Sequence, residues 1–438
     1  MDILKQKLTS VGQDHLLAFY DDLSQVQQSQ LVEELQRIDW QDLTKVFREE
    51  VLPQLDTSGS SLKPASKIDD NLLEVLPDSC LAGTTRCSAE QLDHYEQIGL
   101  KHIKTGKVAA LLLAGGQGTR LGFEHPKGMY DVGLPENKSL FRMQAERIQR
   151  LKQLAGDSAR IIWYVMTSEA TIDETRHFFQ QQNLFGMDKN DVVFFEQGTM
   201  PCFGFDGRVL LHERHKLARS PNGNGGLFEA LHEHNIIGHM AANGVEFLHV
   251  YCVDNILVRV CDPKFMGYCI SKGAQAGAKV VEKVLPNEAV GTICKVGSQF
   301  KVIEYSEISD TIAERRDQAT GKLAFNAGNI CDHFFSVQFL DIIKGSDRRL
   351  RYHLAIKKVP HLNPTTGQRV AKPSEPCGIK LERFIFDVFE FTQQFAAWEV
   401  RREDEFSPLK NADGTQKDNP TTAREALLRA NKLGLLDL

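Results

Sequence analysis

Residues 107–122 read KVAALLLAGGQGTRLG, an apolar run followed at once by a glycine-rich turn. A short, continuous run of aliphatic residues is typical of a strand that is buried on both faces of a sheet. Glycine lacks a Cβ, so its backbone amide can approach phosphate oxygens closely, and polar side chains after the turn add further donors. The candidate anion-binding residues are Gly115, Gly116, Gly118, Thr119 and Arg120. The stretch therefore predicts a strand that leads into an anion cradle, with a plain tight turn as the alternative.

Similar apolar runs continue along the chain and alternate with segments of helical period. The runs are IIWYVMTS from residue 161, VVFFEQ from 192, FLHVYCV from 247 and AKVVEKV from 278. Between them, residues 141–152 place apolar side chains on one helical face, and Thr171 with Glu174 fits a capping box. This alternation predicts an α/β fold whose sheet is covered on both faces.

The first part of the chain has a different pattern. Residues 4–51 carry apolar side chains such as Leu31 and Leu35 at helical spacing, which predicts a short helical bundle. DTSGSSLKPASK, residues 56–67, is rich in serine and predicts a flexible connector. The predicted regions are a helical N-terminal region at 1–104, a central α/β domain at 105–405 and a short C-terminal region at 406–438.

Composition excludes several classes of protein. The 438 residues include 52 Lys and Arg against 58 Asp and Glu, a net charge of −6 that lacks the basic field nucleic acid requires. No apolar stretch is long enough for a membrane span, and the start MDILKQKLTS does not resemble a signal peptide. The nine cysteines form no CxxC pair, which favours reduced thiols over a disulfide framework or a zinc site. We therefore expect a cytoplasmic protein that binds neither nucleic acid nor membrane.

Two further residues point to phosphate chemistry. Lys127, in HPK just beyond the glycines, could close over the same phosphates, although a solvated surface lysine is the alternative. Asp254 follows the apolar run FLHVYCV, and open α/β sheets bind their ligands where strands end. A carboxylate there can hold Mg²⁺ between phosphates, or it can simply cap the next turn. No second metal ligand is evident from the sequence.

The motif LxxGGxGTRLG followed by PKGMYDVGLP resembles the signature of the UDP-sugar pyrophosphorylases, above all the eukaryotic UDP-N-acetylhexosamine pyrophosphorylases. Further matching blocks are FFEQG from residue 194, PNGNGG from 221, VYCVDNILV from 250, EYSEIS from 304, FNAGNI from 325, CGIKLE from 377 and EFSPLKNA from 405. The resemblance covers roughly residues 1–425 and implies a Rossmann-like nucleotidyltransferase central domain with a mostly parallel sheet. It also implies that UTP and N-acetylglucosamine 1-phosphate react to give UDP-N-acetylglucosamine and pyrophosphate, a step of amino sugar metabolism.

The resemblance also implies residue roles, Mg²⁺ or Mn²⁺ as the cofactor, and a possible homodimer. The implied catalytic residues are Arg120, Lys127 and Lys410, and the implied metal ligand is Asp254. The implied substrate-binding residues are Leu113, Ala114, Gly115, Gly116, Gly118, Thr119, Gln197, Gly223, Asn224, Asp254, Gly291, Glu304, Asn329 and Lys380. Taken alone, each is open to a plainer interpretation as a turn former, an outward strand residue or a surface lysine.

The chain departs from the family at two places. Cys377 stands where the family more often has asparagine, and the chain stops after TTAREALLRANKLGLLDL, which predicts a truncated remnant of a C-terminal domain. Three alternatives remain open. The chain could use another sugar 1-phosphate, of N-acetylgalactosamine or glucose; it could be a poorly active nucleotide-binding relative; or it could be a dehydrogenase that uses the glycine-rich loop.

Overall fold

The computed structural model describes residues 1–56, 59–63, 65–156, 158–344 and 349–434. Its α-helices are α1 (Asp2–Ser10), α2 (Gln25–Gln36), α3 (Trp40–Val46), α4 (Ala89–Lys104), α5 (Leu140–Ala155), α6 (Ile172–Gln181), α7 (Leu227–Glu233), α8 (Ile236–Ala242), α9 (Pro263–Ser271), α10 (Asp310–Ala313), α11 (Val337–Lys344), α12 (Arg402–Glu405) and α13 (Pro420–Lys432). No helix in these ranges is both long enough and apolar enough to cross a membrane.

The strands are mostly short. They are β1 (Leu73–Glu74), β2 (Leu81–Gly83), β3 (Val108–Leu113), β4 (Trp163–Thr167), β5 (Val192–Glu196), β6 (Thr199–Pro201), β7 (Leu211–Glu213), β8 (Lys216–Leu217), β9 (Arg219–Pro221), β10 (Phe247–Cys252), β11 (Ala276–Glu282), β12 (Thr292–Val296), β13 (Gln299–Ile303), β14 (Ala327–Ser336), β15 (His353–Lys357), β16 (His361–Leu362), β17 (Arg369–Val370), β18 (Gly378–Glu382) and β19 (Phe395–Val400).

Contacts divide the chain into two compact units. The smaller unit comprises Met1–Ala65, Gly198–Gly226 and Arg349–Ile385, and the larger unit comprises Ser66–Gln197, Leu227–Arg348 and Phe386–Leu438. This division does not coincide with the regions proposed from sequence, 1–104, 105–405 and 406–438, which remain a prediction about domains. Local composition reveals a connector, but it does not reveal which distant segments pack together.

The larger unit is built on a mixed sheet of eleven strands within the described ranges. Its main path runs β2-β19-β11-β14-β10-β3-β4-β5, and β1, β12 and β13 extend it beside β14. Every neighbouring pair on the main path is parallel except the two that involve β14, which runs antiparallel to both β10 and β11. The predicted mostly parallel α/β sheet is therefore confirmed.

The buried interior explains why these runs form strands. All six residues of β3 are buried, and so are all five of β4, as a sheet covered on both faces requires. Helix α5 begins after Ser139, whose hydroxyl accepts from the Arg142 amide, and buries the predicted apolar face that includes Phe141 and Ile148. The helical interpretation of residues 141–152 is thus confirmed.

The predicted capping box at helix α6 is wrong. Thr171 does occupy the N-cap position, but its hydroxyl makes no capping bond to the helix. The hydroxyl instead accepts a hydrogen bond of 3.0 Å from the Ser168 amide, which closes the turn between β4 and α6. A threonine hydroxyl can hydrogen-bond either to the preceding turn or to the first amides of the helix, and here it bonds to the turn.

The smaller unit joins the N-terminal helices to short β-hairpins. Helices α1 to α3 bury a core that includes Leu31, Leu35 and Trp40, so the helical spacing predicted over residues 4–51 is confirmed. The hairpins pair β6 with β9, β7 with β8, β15 with β18 and β16 with β17, all antiparallel. The described residues of the predicted connector 56–67 lie outside these helices and strands, and residues 57, 58 and 64 lie outside the described part of the chain.

Candidate active site

The glycine-rich turn begins at the carboxyl end of β3, in the middle of the large sheet. Gly115 is closely packed, because a Cβ added there would lie 2.6 Å from Oε1 of Gln197. Ser168, which follows β4, fixes the turn by donating its hydroxyl to the Gly115 carbonyl at 2.9 Å. An added Cβ on Gly116 would meet nothing within 4 Å. The turn is therefore closely packed against the protein at Gly115, whereas the space beside Gly116 is free of protein atoms.

Backbone hydrogen bonds bring Lys127 beside the glycines. The Gly118 amide donates to the His125 carbonyl at 3.0 Å, and the Lys127 amide donates to the Gly116 carbonyl at 3.1 Å. The lysine predicted to face the phosphates thus lies on the segment that folds back against the turn. Thr119 and Arg120 are exposed within the same loop. Leu113 and Ala114 bury their side chains, so only their backbones are available to a ligand.

Parallel strands place two more predicted residues at the same edge of the sheet. Gln197 directly follows β5 and is 9% exposed. Asp254 lies two residues beyond β10, whose last residue Cys252 pairs with Leu113 of β3. Since the carboxyl ends of parallel neighbours meet at one edge, Gln197 and Asp254 join the glycine turn. Within the described ranges, no side chain hydrogen-bonds to the half-buried Asp254 carboxylate or forms an ion pair with it.

A segment from the end of the chain crosses this edge. We call residues 405–410, EFSPLK, the strap. Its Leu409 amide donates to the Asp254 carbonyl at 2.9 Å, and the Lys127 ammonium donates to the Leu409 carbonyl at 3.2 Å. Lys410, the last residue of the strap, is exposed and its amide donates to the Asp418 carbonyl at 2.7 Å. The strap therefore brings Lys410 to the edge that carries Lys127 and Asp254.

Asn255 holds the strap in place. It is 3% exposed, and its amide group donates to the Glu405 carbonyl at 2.8 Å. Its Oδ1 accepts from the Ser407 amide at 3.0 Å and from the Leu257 amide at 3.3 Å. Both polar ends of the Asn255 side chain are thus bonded to backbone groups, two of them in the strap.

Buried charges anchor the start of the strap. Lys279 of β11 is fully buried and its ammonium donates to Asp262 at 2.9 Å and also to Glu405. Burial alone would lower the pKa of Lys279, but the two carboxylates raise it above its usual range, so the lysine stays charged. Arg259 lies 3.8 Å from the second Glu405 oxygen. Sequence reasoning missed this cluster, because its members are far apart along the chain and no motif connects them.

Three predicted sugar-binding residues meet at a second part of the sheet. The Asn329 amide of β14 donates to the Gly291 carbonyl at 2.8 Å, just before β12. A Cβ added to Gly291 would lie 3.2 Å from Oε1 of Glu304, which follows β13. The Asn329 Oδ1 accepts from the Cys331 amide at 3.2 Å and contacts Nε2 of His333 at 3.2 Å.

Lys283 is a neighbour of this group that the sequence did not reveal. It directly follows β11 and is only 3% exposed. Burial lowers the pKa of its ammonium, and the opposing charges of Glu288 and Glu304 offset part of that effect. A lysine after a strand carries no sequence signal that distinguishes it from a surface lysine, so only burial identifies it.

The remaining predicted residues lie in the smaller unit. Gly223 has a φ of +84°, and an added Cβ would lie 2.4 Å from the Arg383 carbonyl oxygen, so glycine is required there. The Asn224 Oδ1 accepts from the Ile385 amide at 3.0 Å. Lys380 lies in β18 opposite Ala355 of β15. The turn PNGNGG and the end of β18 thus form a second group of residues within the smaller unit.

A sequence model of the UTP–glucose-1-phosphate uridylyltransferase family matches residues 62–423. The chain is 48% identical over 430 residues to the UDP-N-acetylhexosamine pyrophosphorylase-like protein 1 of Xenopus tropicalis, covering 97% of this chain and 82% of that protein. It is 39% identical over 439 residues to the UDP-N-acetylglucosamine pyrophosphorylase of Saccharomyces cerevisiae, covering 99% of this chain and 91% of that one.

Solved structures of UDP-sugar pyrophosphorylases also superpose on the chain. The uridine diphosphate N-acetylglucosamine pyrophosphorylase of Trypanosoma brucei, in complex with an inhibitor, superposes with a TM-score of 0.81 at 32% identity, covering 98% of this chain and 84% of that chain. A UDP-glucose pyrophosphorylase of Leishmania major superposes with a TM-score of 0.60 at 17% identity, covering 89% and 77%. The second likeness supports the fold alone.

Proposed function

The chain belongs to the UTP–glucose-1-phosphate uridylyltransferase family, and on that premise we propose that its substrates are UTP and N-acetylglucosamine 1-phosphate. The products are UDP-N-acetylglucosamine and pyrophosphate. One observation carries the choice of sugar: the relatives that match nearly the whole chain at 37–48% identity are named for N-acetylglucosamine or N-acetylhexosamine. The group formed by Gly291, Glu304 and Asn329 supplies polar atoms for such a sugar.

We propose in-line attack by a sugar phosphate oxygen on the α-phosphorus of UTP. Negative charge then develops on the departing pyrophosphate, and the protein must stabilise it with donors that are already in position. Gly118, Thr119, Arg120 and Lys127 supply backbone, hydroxyl and cationic donors on one loop. Lys410 would add a second cation from the strap. No general base is needed, because a sugar phosphate dianion is already nucleophilic at neutral pH.

Asp254 fits a divalent metal, Mg²⁺ or Mn²⁺. Mg²⁺ is commonly held by one or two carboxylates together with substrate phosphates. Asp254 supplies one carboxylate without a competing partner, and the described residues gather no group of three acidic, histidine or cysteine side chains that would hold a metal alone. A divalent metal held by Asp254 would supply positive charge that stabilises the negative charge developing on the phosphates. The chain would position it through Asp254, whose backbone is fixed by Leu409 of the strap.

The other residues recognise the two substrates. Gln197, packed behind Gly115, would read the edge of the uracil, and Gly223 with Asn224 would contact the nucleoside and the sugar. Asn329 uses its Oδ1 on protein groups, which leaves its amide NH₂ as the donor for a sugar hydroxyl, while Glu304 would accept from another. The backbones of Leu113, Ala114, Gly115 and Gly116 would line the nucleotide, and Lys380 would approach the phosphates.

A panel of sugar 1-phosphates tests this proposal. Pyrophosphate release is followed with UTP and the 1-phosphates of N-acetylglucosamine, N-acetylgalactosamine and glucose, and kcat/KM is compared. Glucose 1-phosphate lacks the acetamido group and would leave partners unpaired, which costs about 1–3 kcal/mol for each buried group. We expect N-acetylglucosamine first, N-acetylgalactosamine second and glucose far behind. Equal or better use of glucose 1-phosphate would contradict the assignment.

Two further parts of the proposal do not depend on the geometry of the site. We propose a cytoplasmic location and a homodimer in solution. Fractionation of cells that express the tagged chain tests the location. Light scattering coupled to gel filtration gives the mass, and a value of one chain over the full concentration range would contradict the dimer.

A further inference from the structure

Two cysteine thiols face each other beside the candidate site. Cys252 is the last residue of β10, and Cys331 lies in the antiparallel neighbour β14. Tyr251 pairs with Asp332 at the end of the β10–β14 ladder, and Cys252 and Cys331 each lie one residue beyond that pair. The two sulfur atoms are 3.2 Å apart, and both residues are half-buried. Neither forms a disulfide in this structure.

This arrangement fits the geometry of a disulfide. Disulfides span Cα–Cα distances of about 4.4–6.8 Å, a separation that is common between nearby residues on adjacent antiparallel strands. The sulfur atoms need to approach by about 1 Å to reach the bond length of about 2.05 Å. Cys331 has a φ of +56°, a left-handed conformation that is uncommon in a strand residue other than glycine. The ladder is therefore already irregular at the place where closure would occur.

Closure would act on residues of the proposed site. Cys252 precedes Asp254 by two residues. The Cys331 amide donates to Oδ1 of Asn329 at 3.2 Å, so movement of Cys331 moves the side chain proposed to bind the sugar. The pair is thus two residues along the chain from the proposed metal ligand on one strand and from the proposed sugar donor on the other. A displacement of reacting groups by about 1 Å can lower a rate about 10²-fold.

We propose that Cys252 and Cys331 form a dithiol site for small disulfides of the glutathione class, and that its oxidation switches off uridylyl transfer. One cysteine attacks oxidised glutathione, forming a mixed disulfide and releasing one reduced glutathione. The second cysteine then attacks the mixed disulfide, forming the Cys252–Cys331 bond and releasing a second reduced glutathione. Two protein thiols are oxidised and one glutathione disulfide is reduced to two thiols. The loss of activity rests on the proposed function, whereas the disulfide chemistry does not.

The test uses the full chain with oxidised glutathione as the probe. Peptide mapping by mass spectrometry should find a Cys252–Cys331 crosslink, and pyrophosphate release should fall about 10²-fold and recover with dithiothreitol. Cys252→Ser and Cys331→Ser should each keep basal activity, acquire at most one glutathione at the remaining cysteine and form no crosslink. Cys87→Ser removes another half-buried thiol as the matched control and should stay as sensitive as wild type.

Several results would overturn the proposal. Failure to find the crosslink after prolonged oxidation of the wild-type chain would exclude the dithiol site, and this measurement does not require any variant to fold. A complete crosslink with turnover within twofold of the reduced enzyme would exclude the switch. If the sugar panel finds no uridylyl transfer while the crosslink forms, the proposed function fails and the dithiol site stands, so the two failures are distinguishable.

Discussion

The glycine-rich turn and the strap both reach the same edge of the large sheet, but they are held there in opposite ways. The turn and its return segment are fixed mainly by bonds between neighbours in sequence, such as the Gly118 amide to the His125 carbonyl, and Ser168 adds one distant contact at Gly115. The strap is fixed by distant side chains, of which Asn255 and Lys279 are the main ones. One half of the proposed site therefore depends mainly on contacts between residues close in sequence, and the other half depends on contacts between residues far apart in sequence.

The two regions are also joined. The Leu409 backbone accepts from the Lys127 ammonium and donates to the Asp254 carbonyl, so the strap touches both the loop side and the strand side of the site. A buried charge cluster with no contact to the proposed substrates therefore positions a segment that does contact the catalytic candidates. Perturbing each region separately shows whether this division holds.

The largest effect is expected from Lys279→Met, which leaves Asp262 and Glu405 buried without their cation. Removing one partner of a buried ion pair typically lowers the free energy of unfolding by about 3–5 kcal/mol. Urea denaturation measures the change. The control is Lys322→Met, because that lysine is 54% exposed and pairs with Glu282 at the surface. We expect the control to lose less than about 1 kcal/mol. Equal losses in the two variants would mean that the buried ion pairs of Lys279 stabilise the fold no more than a surface ion pair does.

Lys127→Ala tests the local half of the site. Loss of one preorganised donor to developing charge typically lowers kcat about 10²- to 10³-fold. Lys127 is half-buried and its ammonium contacts the protein at the Leu409 carbonyl, so the melting temperature should stay close to wild type. Lys107, whose side chain is 40% exposed and pairs with Glu246, provides the control in Lys107→Ala. A Lys127→Ala enzyme with turnover within a few-fold of wild type would contradict the catalytic role.

The buried network around β14 predicts how stability depends on pH. Burial lowers the pKa of His333 to about 3, with Asp332 opposing the shift and His249 adding to it. Between pH 6.5 and about 3 the unfolded chain therefore binds a proton that the folded chain does not, so the free energy of unfolding falls as the pH is lowered. At pH 5 the loss should be on the order of 2 kcal/mol.

His333→Gln keeps a donor towards Asn329 and removes the titration. Its urea-unfolding free energy should change less between pH 7 and pH 5 than that of wild type. The exposed His177 serves as the control, since His177→Gln should leave the pH dependence of the free energy of unfolding as in wild type. If the free energy of unfolding of His333→Gln depends on pH as strongly as that of wild type, another group is responsible for the loss of stability in acid.

The smallest effect is expected from a pair of glycine variants within the turn. The Cβ of Gly115→Ala would displace the Gln197 side chain, whereas the Cβ of Gly116→Ala would meet no protein atom. Because the end of a glutamine side chain moves easily, both variants should keep their stability to within about 1 kcal/mol. Gly115→Ala should reduce the preference for UTP over CTP about tenfold, equivalent to about 1.4 kcal/mol from lost contacts to the base. Unchanged preference would remove Gln197 from base recognition.

Much of the fold was readable because it depends on local pattern. Continuous apolar runs predicted β3, β4, β5, β10 and β11, since a strand covered on both faces must be apolar throughout. The capping box at Thr171 failed because the hydroxyl had two partners within reach, and the sequence does not rank them. That Asn255 holds the strap could not be read from the sequence either, because its partners, Glu405 and Ser407, are about 150 residues away.

The strands, the helices and the glycine-rich turn could be read from the sequence, because apolar periodicity and glycine spacing act over a few residues. The family was indicated separately by its motif blocks. Three features could be seen only in the folded chain: the strap lies against Asp254, Lys279 and Lys283 are buried, and the Cys252 and Cys331 thiols are in contact. Those facts depend on the order and register of strands that are distant in the chain. Burial then changes the chemistry of ordinary residues, because charges and thiols removed from water are governed by the partners that the fold places beside them.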